Sequence, residues 1–94
     1  MSEKEMRELI NLRRKSGKIS KEEAAVMIMW LKNCNIRTLA WLIRDIGNKI
    51  DVYRRQGTEP KAELRAELAE EKIKQYMFAE YTYSKAKERV ASGA

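Results

Sequence analysis

Histidine is absent from this chain of 94 residues, and cysteine occurs only once, as Cys34. Histidine is the commonest general base and the commonest metal ligand in proteins, so its absence removes the usual means of acid–base catalysis and metal binding. One cysteine without histidine leaves no ligand set for a zinc ion. Neither of the usual glycine-rich phosphate loops is present. We therefore expect a protein that is not an enzyme and that holds no metal ion and no small-molecule cofactor.

Long apolar runs are also missing. The longest one, Ala24 to Leu31, has eight residues, whereas a membrane-spanning helix needs about 20. The first nine residues are charged and lack the apolar centre of a signal peptide. A single cysteine, which cannot form an internal disulfide, is typical of a reducing compartment. We expect a cytoplasmic protein with no membrane partner.

Glycine and proline are scarce, with four and one residues respectively, and this scarcity favours long helices. With 44% hydrophobic and 36% charged residues, the composition is that of an ordered chain. We predict one all-α domain, a small compact bundle of about four helices with a long C-terminal helix. The four helices are expected at about 3–15, 21–33, 36–56 and 60–91.

Local signals place the ends of these helices. Ser2 and Ser20 each precede a glutamate by three residues, which is the pattern of a capping box. Gly17 and Gly57 suit left-handed helix ends, and Pro60 suits the first turn of the last helix. The second helix carries the run AAVMIMWL, which is apolar on all sides and therefore predicts a buried helix.

The third helix has apolar residues at alternating spacings of three and four, which is the pattern of a helix–helix seam. The seam consists of Ile36, Leu39, Ile43, Ile46, Ile50 and Tyr53. Gly47 lies beside the seam, and its missing side chain would let another helix approach closely. We expect this seam to form an interface in a homo-oligomer.

Aromatic residues are crowded in the second half of the last helix, and they include Tyr76, Phe78 and Tyr81. At 100° per residue they go most of the way round the helix, so this segment should be packed on more than one side. Tyrosine is common at protein interfaces because its ring can be buried while its hydroxyl stays in water. The cluster is therefore either a second interface or the core that joins the last helix to the second.

Positive charge is concentrated in the first part of the chain. Of the net charge of +6, all lies in residues 1–56, which hold 13 Lys and Arg against seven Asp and Glu. Residues 57–94 hold seven of each. A basic protein whose excess charge lies in one region has the charge distribution of a nucleic-acid binder, although the same charge can simply maintain solubility.

Two groups of residues are candidates for nucleic-acid binding. The first is a row on the side of the third helix opposite the seam, formed by Arg37, Trp41, Arg44, Asn48 and Arg55. An aromatic ring among arginines can stack on bases while the arginines contact phosphates. Alternatively, Trp41 packs under the last helix or a second subunit. The second group is the basic cluster of Arg13, Arg14 and Lys15, which could instead complement the helix dipole.

The leading functional hypothesis is a small, basic, non-enzymatic regulatory protein that binds nucleic acid through the outer face of the third helix. The alternative is a protein-binding adaptor or inhibitor of a larger host complex, of the kind that mobile elements encode. The two differ in salt dependence, since phosphate contacts weaken steeply with salt and an apolar protein interface does not.

Self-association is the first testable expectation. Burying one leucine-sized side chain contributes roughly 1.5–3 kcal/mol, so an exposed seam would forgo considerable stabilisation. Sedimentation equilibrium at micromolar concentration should give a mass above the 11.0 kDa of one chain. A clean monomer would contradict this prediction.

Overall fold

Four α-helices make up the part of the chain that the structure describes. This computed structural model describes the backbone of residues 1–91 and the side chains of residues 1–81. The helices are α1 (Glu3–Lys15), α2 (Lys21–Asn33), α3 (Ile36–Arg55) and α4 (Ala62–Ala91). Within these residues there is no strand. The predicted all-α bundle with a long C-terminal helix is confirmed.

Side-chain caps fix the starts of α2 and α3. The Ser20 hydroxyl accepts a hydrogen bond from the Glu23 amide at 3.0 Å, and the Glu23 carboxylate accepts one from the Ser20 amide at 3.5 Å. This is the reciprocal capping box that the sequence predicts. At α3, the side-chain oxygen of Asn35 accepts from the Arg37 amide at 2.8 Å. Both caps satisfy amides that the helix itself leaves without a partner.

Glycines in the left-handed conformation end α1 and α3, as predicted. Gly17 has a φ of 73° and Gly57 a φ of 82°. Beyond Gly17, the Lys18 amide donates to the Arg13 carbonyl at 3.0 Å, which closes a Schellman turn. Pro60, in contrast, lies two residues before α4 and not in its first turn, and its ring is buried.

The longest helix, α4, lies at the centre of the bundle. It packs against α1, α2 and α3, whereas α1 and α3 make little direct contact with each other. Two of its fully buried residues, Ala66 and Ala69, are small, and small side chains let neighbouring helices approach closely. The core comprises Met6, Ile10, Ile19, Ala24, Met27, Leu31, Leu42, Ile46, Ile50, Leu68, Ala69 and Ile73. Trp41 and the other residues of α3 are therefore positioned by their helix's packing on α4.

The buried face of α3 differs from the predicted seam by a small rotation. Leu42, which the seam omits, is fully buried together with Ile46, and Ile50 is nearly so. Leu39, Ile43 and Tyr53 are partly buried at the margins of this face. Ile36 is 84% exposed, because it lies in the first turn of α3, beyond the packed surface. Most of the predicted seam is thus used inside the single chain.

One further expectation about packing is wrong, and another stays a prediction. Only one side of α2 faces the core, so Val26 and Met29 are exposed even though the helix is apolar all round. At Gly47 an added Cβ would meet no atom within 4 Å, because α1 and α3 are separated by a groove at this point. No helix of the same chain uses the space at Gly47, and close approach by a helix of another subunit stays a prediction.

An ionic network links α1, α2 and α4. The Arg13 guanidinium lies 2.8 Å from the Glu70 carboxylate, and the Lys74 ammonium lies 3.1 Å from Glu70 and 3.3 Å from Glu23. Burial alone would raise the pKa of Glu70, but hydrogen bonds from Arg13 and Lys74 outweigh it and hold the pKa below its ordinary value. Glu70 therefore stays charged and joins α4 to α1, while Lys74 joins α4 to α2.

Substitution of two isoleucines on α3, one buried and one exposed, tests this packing. Ile46→Asp places a charge without a partner in the core, so we expect loss of cooperative unfolding or a destabilisation of several kcal/mol. Ile36→Asp is the matched control. Ile36 is exposed in the first turn of α3, where a carboxylate is favoured by the helix dipole, so its thermal midpoint should be unchanged or slightly higher. Circular dichroism melts of both variants decide the matter. Equal melting of the two would refute the burial assignment.

Candidate nucleic-acid interface

The row predicted on α3 lies on the surface of the protein. Arg37, Trp41, Arg44, Asn48 and Arg55 are all exposed. Successive helical residues turn by 100°, so these five positions share the side opposite the buried face. We call these five residues the α3 row. The structure thus brings together on one open surface the aromatic and basic side chains that the sequence analysis selected.

Trp41 and Arg44 contact each other within the α3 row. The Arg44 guanidinium carbon lies 5.4 Å from the centre of the Trp41 ring, a distance typical of a cation–π contact. Trp41 is nevertheless 56% exposed. The contact orders both side chains and leaves much of the indole accessible to a flat ligand.

No described carboxylate forms an ion pair with the arginines of the α3 row. Arg37, Arg44 and Arg55 contrast in this respect with Arg54, whose guanidinium lies 2.9 Å from Glu59 and 3.7 Å from Asp51. An arginine without a carboxylate partner keeps its hydrogen-bond donors for an anion in solution.

At the boundary between α3 and α4, two carboxylates each accept a hydrogen bond from an aromatic side chain. Tyr76 donates its hydroxyl proton to Asp45, and the Trp30 indole donates to Glu80 at 2.6 Å. Trp41 borders this boundary in a shallow cleft of about 410 Å³ that Tyr76 and Glu80 also line. Neither hydrogen bond could be predicted from the sequence, because the partners are 31 and 50 residues apart in the chain. The bonds reduce the number of open acceptors next to Trp41.

The basic cluster of α1 lies apart from Trp41. Arg13 is held by Glu70, as described above, and its side chain is partly buried. Arg14 and Lys15 are exposed, and Lys15 shares a groove with Asp51 and the C-terminal end of α3. Only the Arg55 end of the α3 row is therefore near this cluster, and we leave Arg13 out of the candidate surface.

The aromatic cluster of α4 is divided between core and surface. Tyr76 is partly buried against the core, whereas Phe78 and Tyr81 are exposed. Because both residues are more than half exposed in the single chain, the expectation that this segment is packed on several sides stays a prediction. The predicted interface role of the exposed pair stays a prediction, as does that of the α3 seam.

Groups suited to covalent or metal chemistry are scarce in the described part of the chain. Among its residues, no three His, Cys, Asp or Glu side chains lie together in a way that could hold a metal ion. Burial raises the pKa of the Cys34 thiol, and the charge of Glu80 adds to this effect, so the reactive thiolate is disfavoured. No described helix combines the length and apolarity needed to cross a membrane.

Comparison with models of protein families, with curated proteins and with solved structures finds no match to this chain. The candidate interface is therefore inferred from the geometry and charge of the α3 row alone.

The Tyr76–Asp45 bond gives a pH prediction. Burial and the bond to Asp45 raise the pKa of Tyr76 to about 12, above the value of about 10 in an unfolded chain. The stabilisation is therefore fully present below pH ~10 and is lost as the pH rises towards 12. Ultraviolet titration should show one tyrosine ionising late, Tyr76→Phe should remove that step, and Asp45→Asn should shift it to lower pH. A titration that shows no late-ionising tyrosine in the wild type would contradict the assignment.

Proposed function

We propose that this protein is a small, non-enzymatic regulatory protein that binds nucleic acid through the α3 row. In this proposal Trp41 stacks on a base, and Arg37, Arg44 and Arg55 contact phosphates. The observation that carries it is the exposed Trp41–Arg44 pair in a row whose arginines make no ion pair with any described side chain.

The length of the α3 row suits a polyanion. Arg37 and Arg55 are 18 residues apart, which corresponds to ~27 Å along a helix. This span exceeds the distance between neighbouring phosphates of a strand several-fold. The row can therefore follow a backbone over several nucleotides, and the excess positive charge of residues 1–56 would favour its approach.

Helix packing supports a preference for single strands. In a helix-turn-helix reader of duplex DNA, the first helix supports the second, which lies in the major groove. Here α2 and α3 make little direct contact, since α2 packs mainly on α1 and α3 packs on α4. An exposed indole is also better used on a single strand, whose bases are free to stack on it.

Substitutions in the α3 row test the proposal. Trp41→Ala should weaken binding to single strands by roughly 1–3 kcal/mol and binding to duplex by less. Arg55→Ala should lower the slope of log affinity against log salt by about one unit. Fluorescence anisotropy with labelled single- and double-stranded oligonucleotides, titrated with salt, measures both effects.

Matched controls are available next to the tested residues. Arg54→Ala removes an exposed arginine whose guanidinium is already paired with Glu59, so its salt slope should stay close to that of the wild type. A Trp30→Phe background leaves Trp41 as the only tryptophan, so quenching of its fluorescence would report stacking directly. A folded wild-type protein that binds neither oligonucleotide at low salt would end the nucleic-acid proposal.

A protein-binding adaptor or inhibitor is the second candidate, and a groove between α1 and α3 favours it. This groove has a volume of about 710 Å³, and its lining includes Leu9, Leu12, Gly47 and Ile50. Gly47 costs helix stability without allowing any contact inside the chain, whereas an amphipathic helix from a partner could approach it closely. Gly47→Ala would keep the fold and weaken such a partner, and binding of this kind would depend little on salt.

A further inference from the structure

An apolar surface lies on the side of α2 and α4 away from the α3 row. Val26, Met29, Phe78 and Tyr81 are all more than half exposed on these two helices. Isolated apolar side chains are common on protein surfaces, but a contiguous group points to a contact. We call these four residues together with Met27 and Met77 the α2–α4 patch.

A groove runs through the α2–α4 patch. It has a volume of about 510 Å³, and its lining includes Val26, Met27, Met77, Phe78 and Tyr81. Met27 is buried and forms the floor, whereas Phe78 projects beside the groove and is 69% exposed. The patch thus contains both a depression and a projecting ring of the kind that could fill one. This combination suits a twofold contact, in which the same patch must act as both partners.

Charge on the α2–α4 patch also favours a second copy. Two basic chains of net charge +6 repel each other overall, so a contact must avoid the regions of excess positive charge. The groove carries Glu22 and Glu23 on one wall and Lys74 on the other. Lys74 pairs with Glu23 and Glu70 of its own chain, so this edge of the groove carries no excess positive charge that would repel a second copy.

The two surfaces of α4 are separated by its helical geometry. Phe78 is two residues after Tyr76, and two residues turn a helix by ~200°. Tyr76 faces Asp45 and the α3 row, so Phe78 faces away from them. A contact at the α2–α4 patch would therefore leave the α3 row of each copy open.

We propose that the α2–α4 patch is the interface of a homodimer, in which Phe78 of each copy enters the groove of the other. This inference goes beyond nucleic-acid binding and does not depend on it. We expect a dissociation constant in roughly the micromolar range. The predicted self-association is thereby assigned to α2 and the exposed aromatics of α4, and not to the α3 seam.

Substitution of two valines tests the proposal. Val26→Asp should convert the dimer to a monomer, because it places a charge at the edge of the apolar groove. Val52→Asp is the matched control, since Val52 is exposed to a similar degree, 48% against 56%, but lies on α3. Phe78→Asp provides a second variant at the patch. Both patch residues are exposed in the single chain, so circular dichroism should show helix content like that of the wild type.

Sedimentation equilibrium of nuclease-treated protein from about 1 to about 100 μM gives the readout. The expected result is a wild type and a Val52→Asp variant with twice the 11.0 kDa chain mass at the upper concentrations, and monomers for both patch variants. Three results would overturn the proposal. They are a wild type that stays monomeric, patch variants that stay dimeric, and a Val52→Asp variant that dissociates as readily as Val26→Asp.

Discussion

Packing against α4 is the constraint on which the rest of the structure depends. Each of the other helices contacts α4, while α1 and α3 leave a groove between them. Burial of Leu42, Ile46 and Ile50 in the shared core gives α3 its position, and the Tyr76–Asp45 bond joins it to α4. The exposure of Trp41 follows from this arrangement, since a helix buried on one side by a single neighbour must leave its other side in water.

Helix ends could be predicted from the sequence because their causes are local. The Ser20–Glu23 box and the left-handed glycines act within a few residues, and the structure contains both. The position of the α3 row could be predicted for a similar reason, because the angle between two side chains on one helix depends only on their spacing. The helix ends and the angular position of the α3 row could therefore be predicted without knowledge of the tertiary structure.

The buried face of each helix could not be predicted with the same accuracy. On α3 the spacing from Leu39 to Ile46 permits either Leu42 or Ile43 as the intermediate core position, and only packing on α4 selects Leu42. On α2 every position from Ala24 to Leu31 is apolar, so the pattern of this run contains no information about which side meets the core. The ion pair between Arg13 and Glu70 could not be predicted either, because the two residues are 57 positions apart in the chain.

The order of the helices along the chain has a consequence for biosynthesis. The most extensive contact in the bundle joins α1 to α4, the first helix to the last. On the ribosome, Met6 and Ile10 of α1 therefore stay without their main packing surface until α4 has left the exit tunnel. The faces of α1 and α3 that pack on α4 stay uncovered until then, and during this interval the nascent chain is open to chaperones and to aggregation.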